Sequence, residues 1–472
     1  MYSSAPLLRH RLPAYISLQC TNFRSVLKAE GVHRSSVQNK FRCFCDGTSW
    51  PGRCDVLVAG GGAVGSSVAY HLKERAGGDL SVVVVERDST YKQASTVLSL
   101  GNIRQQFSVA ENIQLSMTSM RFLQEADRLL AVEGAEPPNL RFTPRGYLFP
   151  ALHDGVEQMK ENYRLQTELG AEVEWLWPRQ LQQKFPWLQV GNVAAAVIGT
   201  NNEGWFDPWS LLMGLRRKAM SLGALYVTGA VTDLQPHHHQ PARDHSQVPH
   251  NTLTTATVTL ANGETREIQF STLVVSAGAW SGALGRLAGV GDGPGALATP
   301  IPVEPRKRYV YCVHAPDGPW DGCPIFNDYT GVYFRPEGSK SGRLYLCGKS
   351  PTEVDEPPTD DLEVDHQFFD TDVWPVLVQR VPAFGNLKVR SAYAGYYDFN
   401  TFDQNLIIGF HPVLTNVCIA TGLTGHGIQQ SIAVGRAAME YILDGKSKSI
   451  NLERFGFERI LENRPLKEKM VM

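Results

Sequence analysis

The residues best suited to chemistry lie at two glycine-rich turns, far apart in the chain. The first carries Gly60, Gly62 and Gly65 in G-x-G-x-x-G spacing, with Gly61, Ala63 and Val64 between them. Gly60 allows a sharp turn, Gly62 lets backbone approach a pyrophosphate, and Gly65 lets a helix sit close to a strand. The free N–H groups and positive dipole end of the following helix suit phosphate oxygens. Glu86, with Arg87 beside it, ends the next apolar run and can accept hydrogen bonds from a ribose hydroxyl. The second turn holds Gly422, Gly425, His426 and Gly427, and it too opens a helix whose N-terminus faces a ligand. Dinucleotide binding is the expected chemistry.

The elements that must hold these residues can be read around them. Asp55 to Ala59 is an apolar, β-rich run that fits a buried strand. Val64, Val68 and Leu72 recur every four residues, as one face of a helix does. Val82 to Val85 forms a second buried strand, so the glycines sit in strand, turn, helix, strand order. The polar segment from Ser89 to Phe107 follows the ribose-binding strand end. In it Ser95 and Thr96 offer hydroxyls to a phosphate, Gly101 permits close approach of backbone, and Asn102 beside it is a further cofactor-binding candidate. Leu273 to Ser281 reads as another buried strand, ending in Ala277 and Gly278, a second place where backbone passes close to a ligand. Asp207 is an N-cap with Pro208 at the first helical position. The tail, 446–472, carries Leu452, Phe455, Ile460 and Leu461; a docking helix and a partner contact both fit it.

Composition narrows the class. The chain has 472 residues, enough for two domains with large cores. A hydrophobic fraction of 43% and a net charge of −2 fit a globular protein and give no nucleic-acid signature. No apolar run is long enough to predict a membrane span. Eight cysteines include no C-x-x-C pair, and the histidines between Gln235 and Asn251 sit among prolines and polar residues, as in a surface loop; no metal site is expected. Residues 1–53 are rich in Arg and Ser and almost free of acids, which is the composition of a mitochondrial transit peptide and predicts the mitochondrion.

Together the runs GGGAVG…VVVVE, EGWFDP, AGAWS, FDQNLIIG and TGLTGHG resemble the D-amino-acid oxidase/sarcosine dehydrogenase superfamily of FAD enzymes, over roughly residues 54–445. The resemblance implies an α/β fold: a Rossmann-like FAD-binding domain and a second domain on a mixed, largely antiparallel sheet. It implies a discontinuous FAD domain from 54–145, 203–296 and 391–445, and a substrate or cap domain from 146–202 and 297–390. It further implies hydride removal from a carbon bearing an amine, with the 424–428 helix start facing the pyrimidine end of the flavin and His426 close to the ring. Arg335, in GVYFRPEG, matches a carboxylate-binding arginine of the family, and Arg306 and Arg308 share one face of another strand. Tyr396 stands where some relatives carry a flavin-linking cysteine, so the FAD is expected to be non-covalent. The runs VEPRKRYVY, LEVDH and AGYYDFNTFDQN resemble most closely a mitochondrial subgroup tied to assembly of respiratory complex I, which implies complex I subunits or intermediates as partners, peripheral to the inner membrane.

Overall fold

Val82–Glu86 is buried from its first valine to its last, and only a parallel strand covered on both faces satisfies such a run. It pairs in parallel with Arg53–Ala59, which pairs in parallel with Thr265–Val275, which pairs in parallel with Val417–Thr421. Leu225–Thr228 lies beyond Val82–Glu86, and Ile407–Phe410 closes the opposite edge antiparallel. Ala230–His237 and Thr252–Thr259 add an antiparallel extension to this eight-stranded sheet. The computed structural model describes residues 50–237 and 252–470; the leader up to residue 49 and the loop histidines from 238 onward lie outside them.

The helix Ala63–Ala76 connects the first two strands. The helix Gly427–Asp444 packs directly on it. A Cβ at Gly435 would stand 2.2 Å from Ser67 Oγ, so the two helices touch backbone to side chain. The fold is α/β, and its second sheet is mixed and mostly antiparallel, as the sequence implied. That sheet runs Lys388–Asn400, Val303–His314, Leu344–Gly348, Tyr333–Glu337, Ile325–Asn327, Tyr147–Ala151, Ala195–Gly199, Val173–Leu176. Only Ile325–Asn327 and Tyr147–Ala151 pair in parallel. One boundary differs from the sequence reading. Residues 391–400 belong to Lys388–Asn400, which pairs along its length with Val303–His314 in the second sheet rather than with the first.

The tail is a strap. Arg459 forms a buried, two-pronged ion pair with Asp403, at 2.8 and 3.0 Å. Asp403 also accepts the Leu466 N–H at 3.0 Å. Glu468 accepts the Ser108 and Val109 N–H groups, and so caps the helix Ala110–Gln124, whose own N-cap residue is a valine with no acceptor. Asn162, on the helix Val156–Glu168, donates to the Lys469 carbonyl. Among the described residues no helix is long and apolar enough to cross a membrane.

Arg459→Met leaves the Asp403 carboxylate buried without its cation. A loss of about 3–5 kcal/mol is expected in urea unfolding. The double variant Asp403→Asn/Arg459→Met should recover part of it, and equal stability of wild type and single variant would show that the strap does not stabilise the fold.

Candidate functional site

The two sheets enclose a cavity of about 1090 Å³. Both glycine-rich turns open onto it, although they are separated by most of the chain: Gly60, Gly62, Ala63 and Val64 line one side, and Gly425, His426 and Gly427 another. Glu86, Arg87, Ser95, Thr96 and Asn102 also line it, as do Ala277 and Gly278. The remaining glycines stand behind the wall. Gly61 donates its N–H to Glu86 at 2.9 Å. Gly422 donates to Asp398 at 3.0 Å. Gly101 was expected to let backbone approach the ligand; a Cβ there would instead lie 2.1 Å from the Phe206 carbonyl, so its approach is to Phe206.

The fingerprint glycines divide by what constrains them. A Cβ at Gly60 would meet the Ser276 carbonyl at 2.4 Å, and one at Gly65 the Gly60 carbonyl at 1.8 Å. Those two are demanded by the protein itself. A Cβ at Gly62 would meet only Thr96 Oγ1, at 3.3 Å, on the cavity wall. Here the missing side chain leaves room for a ligand, which is the fit a pyrophosphate requires. Thr96 Oγ1 accepts the Ala63 N–H at 3.0 Å and ties the following loop to the helix start. Arg87 lies 3.5 Å over the Trp280 ring, at the same end. The cavity, the open cradle at Gly62, the acid at Glu86 and the second helix start at Gly427 fit FAD. Among the described residues no cysteine lines the cavity, and Tyr396 donates its hydroxyl to the Thr359 and Asp361 carbonyls.

Arg335 is not free to anchor a substrate. Its guanidinium pairs with Glu337 and donates to the Pro336 and Leu100 carbonyls, and it does not line the cavity. Tyr333, two residues earlier in the strand, does reach the cavity. Glu337, two residues further on the same face, takes the charge. Arg306 and Arg308 do line the cavity, each held by an acid: Glu304 for the first, Glu356 through two bonds for the second.

The arginine that is available is Arg104, which the sequence reading missed. It is 2% exposed and lines the cavity, and neither terminal nitrogen has a hydrogen-bond partner. Its guanidinium lies over the rings of Phe107, Phe149 and Tyr147, at 4.9, 4.9 and 5.5 Å. The backbone around it is fixed: Arg104 N–H donates to Gln429, and the next two residues donate to Glu203. Burial pushes Glu203 up to about 7, against those bonds and the Arg104 charge. His426 is pushed down to about 3, by burial first and by the Arg104 cation second. It is therefore a neutral imidazole at physiological pH, and supplies a hydrogen bond rather than a charge.

Two outcomes follow from this geometry. Gly62→Val should fold, with unchanged circular dichroism, yet purify without flavin absorbance; a yellow variant would remove the pyrophosphate from this turn. Burial raises Asp398 to about 6, while its carboxylate holds the Gly422 and Leu423 N–H groups. A raised pKa means that the folded state binds the proton more tightly, so this stabilisation is full below about pH 4 and lost as pH rises through about 6. Relative to Asp398→Asn, the wild type should lose about 3 kcal/mol across that window. Parallel pH profiles of Tm for the two proteins would contradict this.

A protein from Xenopus laevis called FAD-dependent oxidoreductase domain-containing protein 1 is 48% identical over 428 residues, 89% of this chain and 85% of its own length. The protein of the same name from Bos taurus is 46% identical over 93% of each chain. The crystal structure of L-proline dehydrogenase from P. horikoshii superposes with a TM-score of 0.72 at 24% identity, covering 88% of this chain and all of that one. The family model described as FAD dependent oxidoreductase matches residues 55–441, and the chain belongs to that FAD-dependent family.

Proposed function

We propose that this protein oxidises a small amine bearing a carboxylate, an amino acid or N-methyl amino acid, at the cavity between its two sheets. The observation that carries this reading is Arg104: a buried cation on the cavity wall with two unpaired terminal nitrogens. Burying a cation without an anion is costly, so such a site is built for an anion that arrives with the ligand. The planar fork of arginine suits a carboxylate, which it can hold through two parallel bonds. Bound FAD supplies the hydride acceptor.

The chain's own residues do the rest. The helix starts at Ala63 and Gly427 present backbone N–H groups and positive dipole ends to the cavity. Tyr147, Tyr333 and Tyr397 wall the substrate end, and burial raises all three hydroxyls above their ordinary value, which keeps them neutral. Burial of the site and the Arg104 charge together disfavour an ammonium there, and so favour the neutral amine that oxidation requires. The name of L-proline dehydrogenase, whose fold this chain shares, is in keeping with carbon–nitrogen oxidation.

A mitochondrial location and a role in complex I assembly are part of the proposal. The basic, acid-poor leader supports the first, and the resemblance of VEPRKRYVY, LEVDH and AGYYDFNTFDQN supports the second. Catalysis and assembly are compatible.

Anaerobic mixing with a panel of amino acids and N-methyl amino acids should bleach the flavin. Arg104→Met should keep its flavin and lose about 3 kcal/mol of transition-state stabilisation, on the order of a hundredfold in the reduction rate. If no amine bleaches the flavin while the protein co-purifies with complex I intermediates, the catalytic part fails and the assembly part stands.

A further inference from the structure

The wall next to Arg104 holds polar groups that the amine-oxidation reading leaves without a task. Asn327 Oδ1 and Thr330 Oγ1 are buried, line the cavity and have no hydrogen-bond partner. Asn327 is 4% exposed. It sits at the end of Ile325–Asn327, one residue past the registered pair Phe326 and Leu148, so it lies beside Phe149. Phe149 is one of the rings under the Arg104 guanidinium. Adjacent strands are about 4.8 Å apart, so the cation and the unpaired amide face one compartment.

The turn that presents these groups is fixed more firmly than packing alone would need. Asp328, fully buried, pairs with the buried Arg380 at 2.5 Å. The same carboxylate accepts the Thr330 N–H at 3.0 Å, while the Asp328 N–H reaches the Val332 carbonyl at 2.8 Å. Gly331, at φ +85°, completes the turn. Arg380 also holds Asn192 and the Gln189 carbonyl on its far side. A buried ion pair of this kind adds little to stability when intact, but it holds a geometry. What it holds here, on the cavity wall, is an amide acceptor and a hydroxyl that can accept or donate. Leaving such atoms unpaired is unfavourable unless a ligand completes them.

We infer that Asn327 and Thr330 select a substrate whose side chain carries a neutral hydrogen-bond donor, a hydroxyl or a carboxamide N–H, with its carboxylate on Arg104. This rests on the Arg104 reading above and narrows it to polar, uncharged amino acids and their N-alkyl forms. The Arg104 cation faces the same compartment, so lysine-like side chains are disfavoured by like charge. A purely alkyl side chain leaves both acceptors unpaired and is rejected for that reason.

The test uses binding to the flavin-loaded full chain, so it does not depend on turnover. A series of short ω-hydroxy carboxylates is titrated beside alkyl carboxylates that carry a methyl in place of the hydroxyl. The readouts are the flavin difference spectrum and calorimetry. At one chain length the hydroxy member should bind at least about tenfold tighter than its methyl counterpart. Asn327→Leu/Thr330→Val should bring that ratio close to one with the alkyl affinity kept, and Thr330→Val alone should lower it in part. The flavin-to-protein ratio checks that each variant folds. Equal affinities in the wild type, or an unchanged ratio in the double variant, overturn the assignment while the anchor stands, provided Arg104→Met weakens both series. If Arg104→Met weakens neither, or if neither series binds, the anchor falls and this inference with it.

Discussion

Two helices set the limits within which everything else in this molecule is arranged. Ala63–Ala76 and Gly427–Asp444 come from opposite ends of the described chain, yet Ser67 Oγ donates to the Ile432 carbonyl across 365 positions of sequence. That approach is possible because the contact uses small residues, Ser67 and Gly435. With the two helices in contact, both N-terminal ends point into the same space. A larger residue at Gly435 would spread them and separate the phosphate end of the cavity from the ring end.

The electrostatics of the cavity follow from one buried cation. Arg104 lies on aromatic faces rather than on a carboxylate. Glu203 is near enough to feel its charge but bonds the backbone and side chain of the next two residues. The acid thus fixes the loop while leaving the guanidinium free. Burial first, and the same charge second, keep His426 neutral. Arg306 and Arg308, which share the cavity wall, are each matched by a glutamate, whereas the buried Arg104 has no acid on its terminal nitrogens.

The nucleotide end was legible because its signals are local. Gly60, Gly62, Gly65 and Glu86 fall within one strand, helix and strand, where spacing alone determines geometry. The substrate end was not. Arg104 lies in a loop without periodicity, and its partners Tyr147 and Phe149 arrive from another sheet. A cation followed by two glutamines and a phenylalanine, inside a loop already read as cofactor-facing, was the available signal. Arg335 shows the opposite failure: its strand was right, but the role implied by the resemblance left out Glu337, its ion-pair partner two residues on. The boundary near residue 391 failed because a strand that leads back to the first domain still pairs with the second.

The order of the central sheet governs when this chain can mature. Arg53–Ala59, the first strand among the described residues, has Val82–Glu86 on one side and must wait for Thr265–Val275 on the other, which in turn waits for Val417–Thr421. Pairing over such separations is slow, and the valines of the early strands stay uncovered meanwhile. The cavity that takes the prosthetic group is therefore complete only when Val417–Thr421 and the helix that follows it are in place.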